Sequence, residues 1–133
     1  MIRLFVMFAI VAQSAMAEGT DEAFSIGQIK QDEYGCAVIE RPSALTFTTF
    51  RDAWRTVAAD KLYSLRRHQS TVENQKCDCA AMRPDWSIIA DDFTSLGFAD
   101  GPSTTYDEWA DTAYYPVISD LRRTVRDLCE GAD

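Results

Sequence analysis

Four cysteines constrain this chain more than any other feature, because two of them stand one residue apart as Cys77-Asp78-Cys79, with Cys36 before them and Cys129 after. A bridge inside the doublet would close a small, strained ring, so each member is expected to reach a distant partner. Two cross-patterns satisfy that requirement: one cysteine of the doublet ties Cys36 and the other ties Cys129, in either combination. Both close loops of some tens of residues, worth about 3 to 4 kcal/mol each in the chain-entropy view. That is a large share of the stability of a domain this small.

Bridges require an oxidising compartment, and the first residues point to one. Arg3 gives a positive start, Leu4 to Ala12 a short apolar run, and Ala15-Met16-Ala17 the small-x-small pattern that a signal peptidase cuts. The apolar run stops at Gln13-Ser14, too early to span a bilayer, so no stable membrane insertion is expected after cleavage. Removal of residues 1–17 leaves 116 of the 133 residues and, with Arg3 gone from a net charge of −8, a formal charge of −9. The one asparagine, Asn74, sits in Asn-Gln-Lys and is no glycosylation acceptor, which favours a bacterial envelope. The expected location is periplasmic or secreted.

Periodicity predicts an all-α protein: a small disulfide-stapled helical domain of about three main helices, the last kinked at Pro116, with an N-terminal arm. The expected divisions are a cleaved leader at 1–17, an arm at 18–42 stapled through Cys36, and a helical body at 43–133. From Phe47 to Cys79 one long amphipathic helix is expected. On a helical wheel Phe47, Phe50, Trp54, Val57, Ala58, Leu65 and Val72 share an apolar arc, with Asp52, Thr56, Asp60 and Arg67 opposite. Its first turn is expected between Ser43 and Thr49. Pro84 and Asp85 suit the start of a second, short helix carrying Trp86, Ile89, Ala90 and Phe93. Gly97 to Ser103 reads as a loop. Thr105 and Glu108 have the spacing of a capping box ahead of a third helix that keeps Tyr106, Trp109, Ala110, Ala113, Val117, Leu121, Val125 and Leu128 on one face. Pro116 interrupts that run, and a kink or a break near Tyr114-Tyr115 is expected. One tiny strand pair is allowed for in the arm, where Tyr34 to Ile39 reads as extended.

The chemistry-bearing residues are few. His68 is the single histidine, and no Gly-x-Ser-x-Gly, phosphate-loop or dinucleotide pattern occurs. An enzyme is therefore not expected, and neither a cofactor nor a metal is assigned. Asp91-Asp92 and Asp107 with Asp111 read as solvated helix acids rather than as an acid/base pair. Lys61 and His68 fall within the apolar arc. They read as a snorkelling lysine and a satisfied ring, or else as a polar site in which Lys61 pairs with a carboxylate from another helix. Two surfaces are candidate interfaces: the basic flank of Arg51, Arg55 and Arg66, and the tyrosines Tyr114 and Tyr115 at the helix break.

Strong acidity disfavours nucleic acid and anionic membranes and suits a protein partner, whether basic or part of an envelope complex. The first functional expectation is an exported, non-enzymatic protein-binding factor of the bacterial cell envelope, for instance an accessory component of a secretion or conjugation apparatus. The alternative is a periplasmic immunity or inhibitor protein that neutralises a basic toxin or wall-degrading enzyme. The second alternative is a thiol-redox or metal-binding factor using Cys77 and Cys79.

Overall fold

A polar, threonine-rich approach leads the chain into its longest helix. The computed structural model describes residues 29–131; the leader at 1–17 and the arm residues 18–28 lie outside the described residues. Single 3-10 turns at Ser43–Leu45 and Phe50–Asp52 precede α1, Ala53–Asn74. A short α2, Cys79–Met82, and α3, Trp86–Ser95, come next. The last helical run consists of α4, Ser103–Trp109, a π-helical turn at Ala110–Tyr114, and α5, Tyr115–Glu130. Among the described residues the fold is all-α, with α1, α3 and the α4-to-α5 run as its three main helices. The arm contributes one isolated antiparallel bridge, Gln31 to Ala37.

The cysteines adopt one of the two cross-patterns. Cys79 is bonded to Cys36, and Cys77 to Cys129. The closed loops span sequence separations of 43 and 52 residues, and each constraint is worth about 4 kcal/mol by chain entropy.

The long helix is shorter than its pattern predicts. Thr46 to Thr49 are not helical, because Thr56 turns its hydroxyl to the Phe47 backbone. Its Oγ1 accepts from the Phe47 N–H at 2.9 Å and donates to the Phe47 carbonyl at 3.1 Å, holding the approach across α1. At the other end Gln75 takes a left-handed conformation, φ 52°, and the helix stops before the doublet. Asp78 then starts afresh as the N-cap of α2, its Oδ1 accepting from the Ala81 N–H at 2.8 Å. The buried side of α1 is also wider than one arc. Ala58, Ala59, Leu62, Tyr63, Leu65 and Thr71 are buried, whereas Phe50 is 99% and Val57 45% exposed, against the expectation of a core position. Arg67, expected in solvent, lies under the arm.

The third helix also starts differently. It begins at Ser103 behind Pro102 with no side-chain cap, so the box of Thr105 and Glu108 does not form. Pro116 is accommodated by widening rather than breaking the helix. The Tyr115 N–H bonds the Ala110 carbonyl five residues back, and Pro116, lacking an N–H, falls in the first turn of α5.

Phe98 is the centre of the main core. It is fully buried and meets Trp54, Phe93, Tyr106 and Trp109 edge to face, at centroid distances of 6.3, 5.7, 6.1 and 5.4 Å. Such pairs contribute about 0.5 to 1.5 kcal/mol each beyond area burial. The end of α3 puts Phe98 there. Gly97 takes φ +79°, its N–H bonds the Thr94 carbonyl, and the Phe98 N–H bonds the Phe93 carbonyl, both at 3.0 Å. This is a Schellman C-cap with its apolar contact between Phe98 and Phe93. Arg55 clamps the next loop: Nε donates to the Phe98 carbonyl at 2.9 Å and Nη2 to the Gly101 carbonyl at 3.1 Å.

The arm is anchored by a carboxylate. Asp32 Oδ1 accepts from the backbone N–H groups of Tyr34 and Cys36, both at 2.9 Å, while Oδ2 faces Arg83 and Arg67. Its side chain is only 9% exposed. Burial alone would raise the Asp32 pKa, but the Cys36 and Tyr34 amides and the Arg83 guanidinium outweigh it and leave the carboxyl below its ordinary 3.8. The ionised form is therefore favoured by folding, and its contribution is present above pH 3.8 and lost as the pH falls through the lower folded value. Replacing Asp32 with Ala leaves two buried guanidiniums without their carboxylate. Urea unfolding at pH 7 should show a loss of about 3 kcal/mol or more for D32A, and the gap between variant and parent should narrow at pH values well below 3.8.

Candidate functional site

Two surface features combine charge with ordered side chains, one at each end of the groove between α1 and α5. The first is built on Lys61. The groove places it against the π turn, where Nζ donates to the Tyr115 hydroxyl and lies 5.4, 5.2 and 4.2 Å from the ring centroids of Tyr106, Tyr114 and Tyr115. Its partners are phenols rather than the carboxylate considered from sequence. Burial pulls the ammonium pKa down, but the Tyr106 and Tyr115 hydroxyls more than compensate and hold it above 10.5. Lys61 thus stays charged over any physiological range, within a ring of tyrosine faces.

Tyr114 and Tyr115 are divided by the helix. Tyr114 is buried with Leu65 and Ile118, whereas Tyr115 is 54% exposed and stands edge-on to Tyr114 at 5.4 Å. Val57 lies one turn before Lys61 on α1, so the two share one side of the helix, with Tyr115 packed on Lys61, and Phe50 is exposed in the 3-10 turn that precedes α1. This exposed stripe was missed in the sequence because the wheel assigned Phe50 and Val57 to the core.

The basic flank does not stand as a free surface. Arg55 is engaged by Asp52, by two carbonyls and by the Trp54 ring 4.7 Å away. Arg66 makes a two-pronged bond to Asp92, Nε to Oδ2 at 2.5 Å and Nη2 to Oδ1 at 2.9 Å, tying α1 to α3. Arg51 is exposed and in no ion pair among the described residues. Of the acids, Asp92 is taken by Arg66, and Asp91, Asp107 and Asp111 are exposed.

The second feature is a cleft of about 870 Å³ lined by Glu33 and Tyr34 of the arm, Ser64, Arg67 and His68 of α1, and Arg122, Arg126 and Glu130 of α5. The Cys77–Cys129 bridge forms one wall. Both sulfurs of the doublet are bonded, so neither offers a thiolate beside His68. No group of His, Cys, Asp and Glu able to hold a metal occurs among the described residues, and none of the helices described is long and apolar enough to cross a membrane. His68 Nδ1 faces the Ser64 carbonyl, which requires the proton on Nδ1 and leaves Nε2 without it in the neutral ring.

Comparison with protein-family models, with curated proteins and with solved structures finds no match.

The cleft sets Arg67, Arg122 and Arg126 against Glu33 and Glu130, a net positive charge in an acidic protein. Burial lowers the His68 pKa below 6.5, and Arg67 and Arg122 lower it further, against opposing effects of the Ser64 carbonyl and Glu33. Folding therefore favours the neutral ring, whose contribution is intact above pH 6.5 and declines as the pH falls below it. Proton NMR of this single imidazole should give a midpoint below 6.5 in the native protein, and R122Q should move it upward while the helical circular dichroism stays unchanged.

Proposed function

We propose that this chain is an exported, non-enzymatic factor of the bacterial cell envelope that works by binding another protein, through the stripe of Phe50, Val57 and Tyr115 bordered by Lys61. The carrying observation is the exposure of Tyr115 on a platform that fixes it. Lys61 and the buried Tyr114 hold its ring before any partner arrives, so little side-chain entropy remains to be lost on binding. Phe50, almost wholly exposed, stands in the 3-10 turn just before α1. Of the two surfaces considered from sequence, this one is favoured, because Arg55 and Arg66 already have partners within the chain. The two disulfides support a non-cytoplasmic setting. A place as an accessory piece of a secretion or conjugation apparatus rests on compartment and size.

A second reading has its own support. With a formal charge of −9 after leader removal and with Asp107, Glu108 and Asp111 exposed and free of ion pairs among the described residues, the chain suits an inhibitor or immunity protein for a cationic toxin or wall-degrading enzyme.

Site-specific photocrosslinking with a benzophenone side chain at position 57 distinguishes the two in envelope fractions. The first reading expects crosslinks to a subunit of a membrane assembly, and Y115A should weaken that association by roughly 30-fold while the helical circular dichroism is retained. Capture of one soluble cationic protein, with an on-rate falling steeply in salt, would replace it by the second.

A further inference from the structure

The cleft beside His68 is independent of the tyrosine stripe and has a chemistry of its own. Arg122 and Arg126 stand one turn apart on the exposed side of α5, and neither is in an ion pair among the described residues. Arg122 has only long contacts, 3.3 Å to the Tyr114 hydroxyl and 3.4 Å to Ser64 Oγ. Arg67 forms the inner wall. It shares its one carboxylate, Asp32, with Arg83, and its Nε is buried without a hydrogen-bond partner. His68, its Nδ1 bonded to the Ser64 carbonyl, has Nε2 uncommitted. Against these cations the cleft sets Glu33 and Glu130, which are in none of the ion pairs formed among the described residues.

We propose that this cleft binds a small soluble phosphate monoester, its phosphate held by Arg122, Arg126 and Arg67 and by the protonated Nε2 of His68. A planar carboxylate is satisfied by a single guanidinium fork, whereas guanidiniums from two helices lining one cleft with an imidazole suit an oxyanion that presents oxygens in several directions. The volume of about 870 Å³ exceeds what phosphate alone requires and lies within the range of small-molecule sites, leaving room for an organic body against the Tyr34 and Ser64 hydroxyls. Glu33 and Glu130 line the same cleft, and their charge disfavours a ligand more highly charged than a monoester. The net negative charge of the chain disfavours a phosphate presented on an anionic bilayer.

The groups facing His68 are Arg67 on its own helix, Arg122, Arg126 and Glu130 from α5, and Glu33 and Tyr34 from the arm; Cys77 is bridged and does not titrate. A bound phosphate adds negative charge to this set and stabilises the imidazolium. The disulfide-bonded protein, titrated by NMR with glycerol 3-phosphate against chloride at matched ionic strength, should show a saturable rise of the His68 midpoint by about one pH unit. R122Q/R126Q, changes at two exposed positions, should abolish the saturable rise while keeping both bridges and the helical circular dichroism. Inorganic phosphate should act more weakly than the ester. An effect of the ester no larger than that of chloride, a saturable rise that persists in the double variant, or inorganic phosphate acting as strongly as the ester would each overturn the assignment.

Discussion

The crosslinks that leave residues 77 and 79 for opposite ends of the chain are the constraint on which the rest depends. Cys79 holds Cys36, and with it the turn in which Asp32 caps two backbone amides and faces Arg67 and Arg83. Cys77 holds Cys129, and with it the last turn of α5 against the end of α1. A single buried carboxylate between two arginines is a difficult arrangement to assemble from a free arm, because desolvation must be offset by geometry. The bridge to Cys36 supplies that geometry by removing most of the freedom the arm would otherwise have to lose on docking.

Much of this was legible in the residues. The all-α class, the second and third helices, an irregularity ahead of Pro116 and the need for cross-bridging all came from period, proline position and cysteine spacing, whereas the π-wound form of that irregularity did not. The illegible parts arose where a local contact overruled periodicity. Thr56 draws the Phe47 backbone across α1, and Phe50, in the 3-10 turn that follows, is exposed, which no wheel anticipates. Arg67 looked solvated because its partner lies 35 residues earlier in a segment without helical pattern. Phe98 was hidden inside a stretch read as loop, although Leu96-Gly97-Phe98, with Phe98 five residues after Phe93, carries the signal of a helix cap with its apolar contact. Of the candidate site, Tyr115 was identifiable from its neighbour and the proline. The cleft was not, since its arginines, histidine and glutamates come from three separated segments.

The distribution of charge separates two kinds of surface. Most basic residues of α1 are engaged within the molecule: Arg55 by carbonyls, Arg66 by Asp92, Lys61 by phenols. The arginines at 122 and 126 are the contrast, carrying exposed positive charge beside a partly buried imidazole. In a protein of overall negative sign, such a recess is where the proposed phosphate site would concentrate positive charge among the described residues.

The π turn at Ala110–Tyr114 determines which place that is. A widened turn amounts to one residue more than an ordinary helix would use, and each residue rotates the remainder of the helix by about 100°. Were the same residues wound as an ordinary α-helix between Trp109 and Tyr115, α5 would start from a different azimuth. The guanidiniums that now border the recess would then swing toward another side, and Val125 would leave its place beside Met82 and Cys36. Which side chains border the recess therefore depends on how that one turn is wound, as much as on their identity.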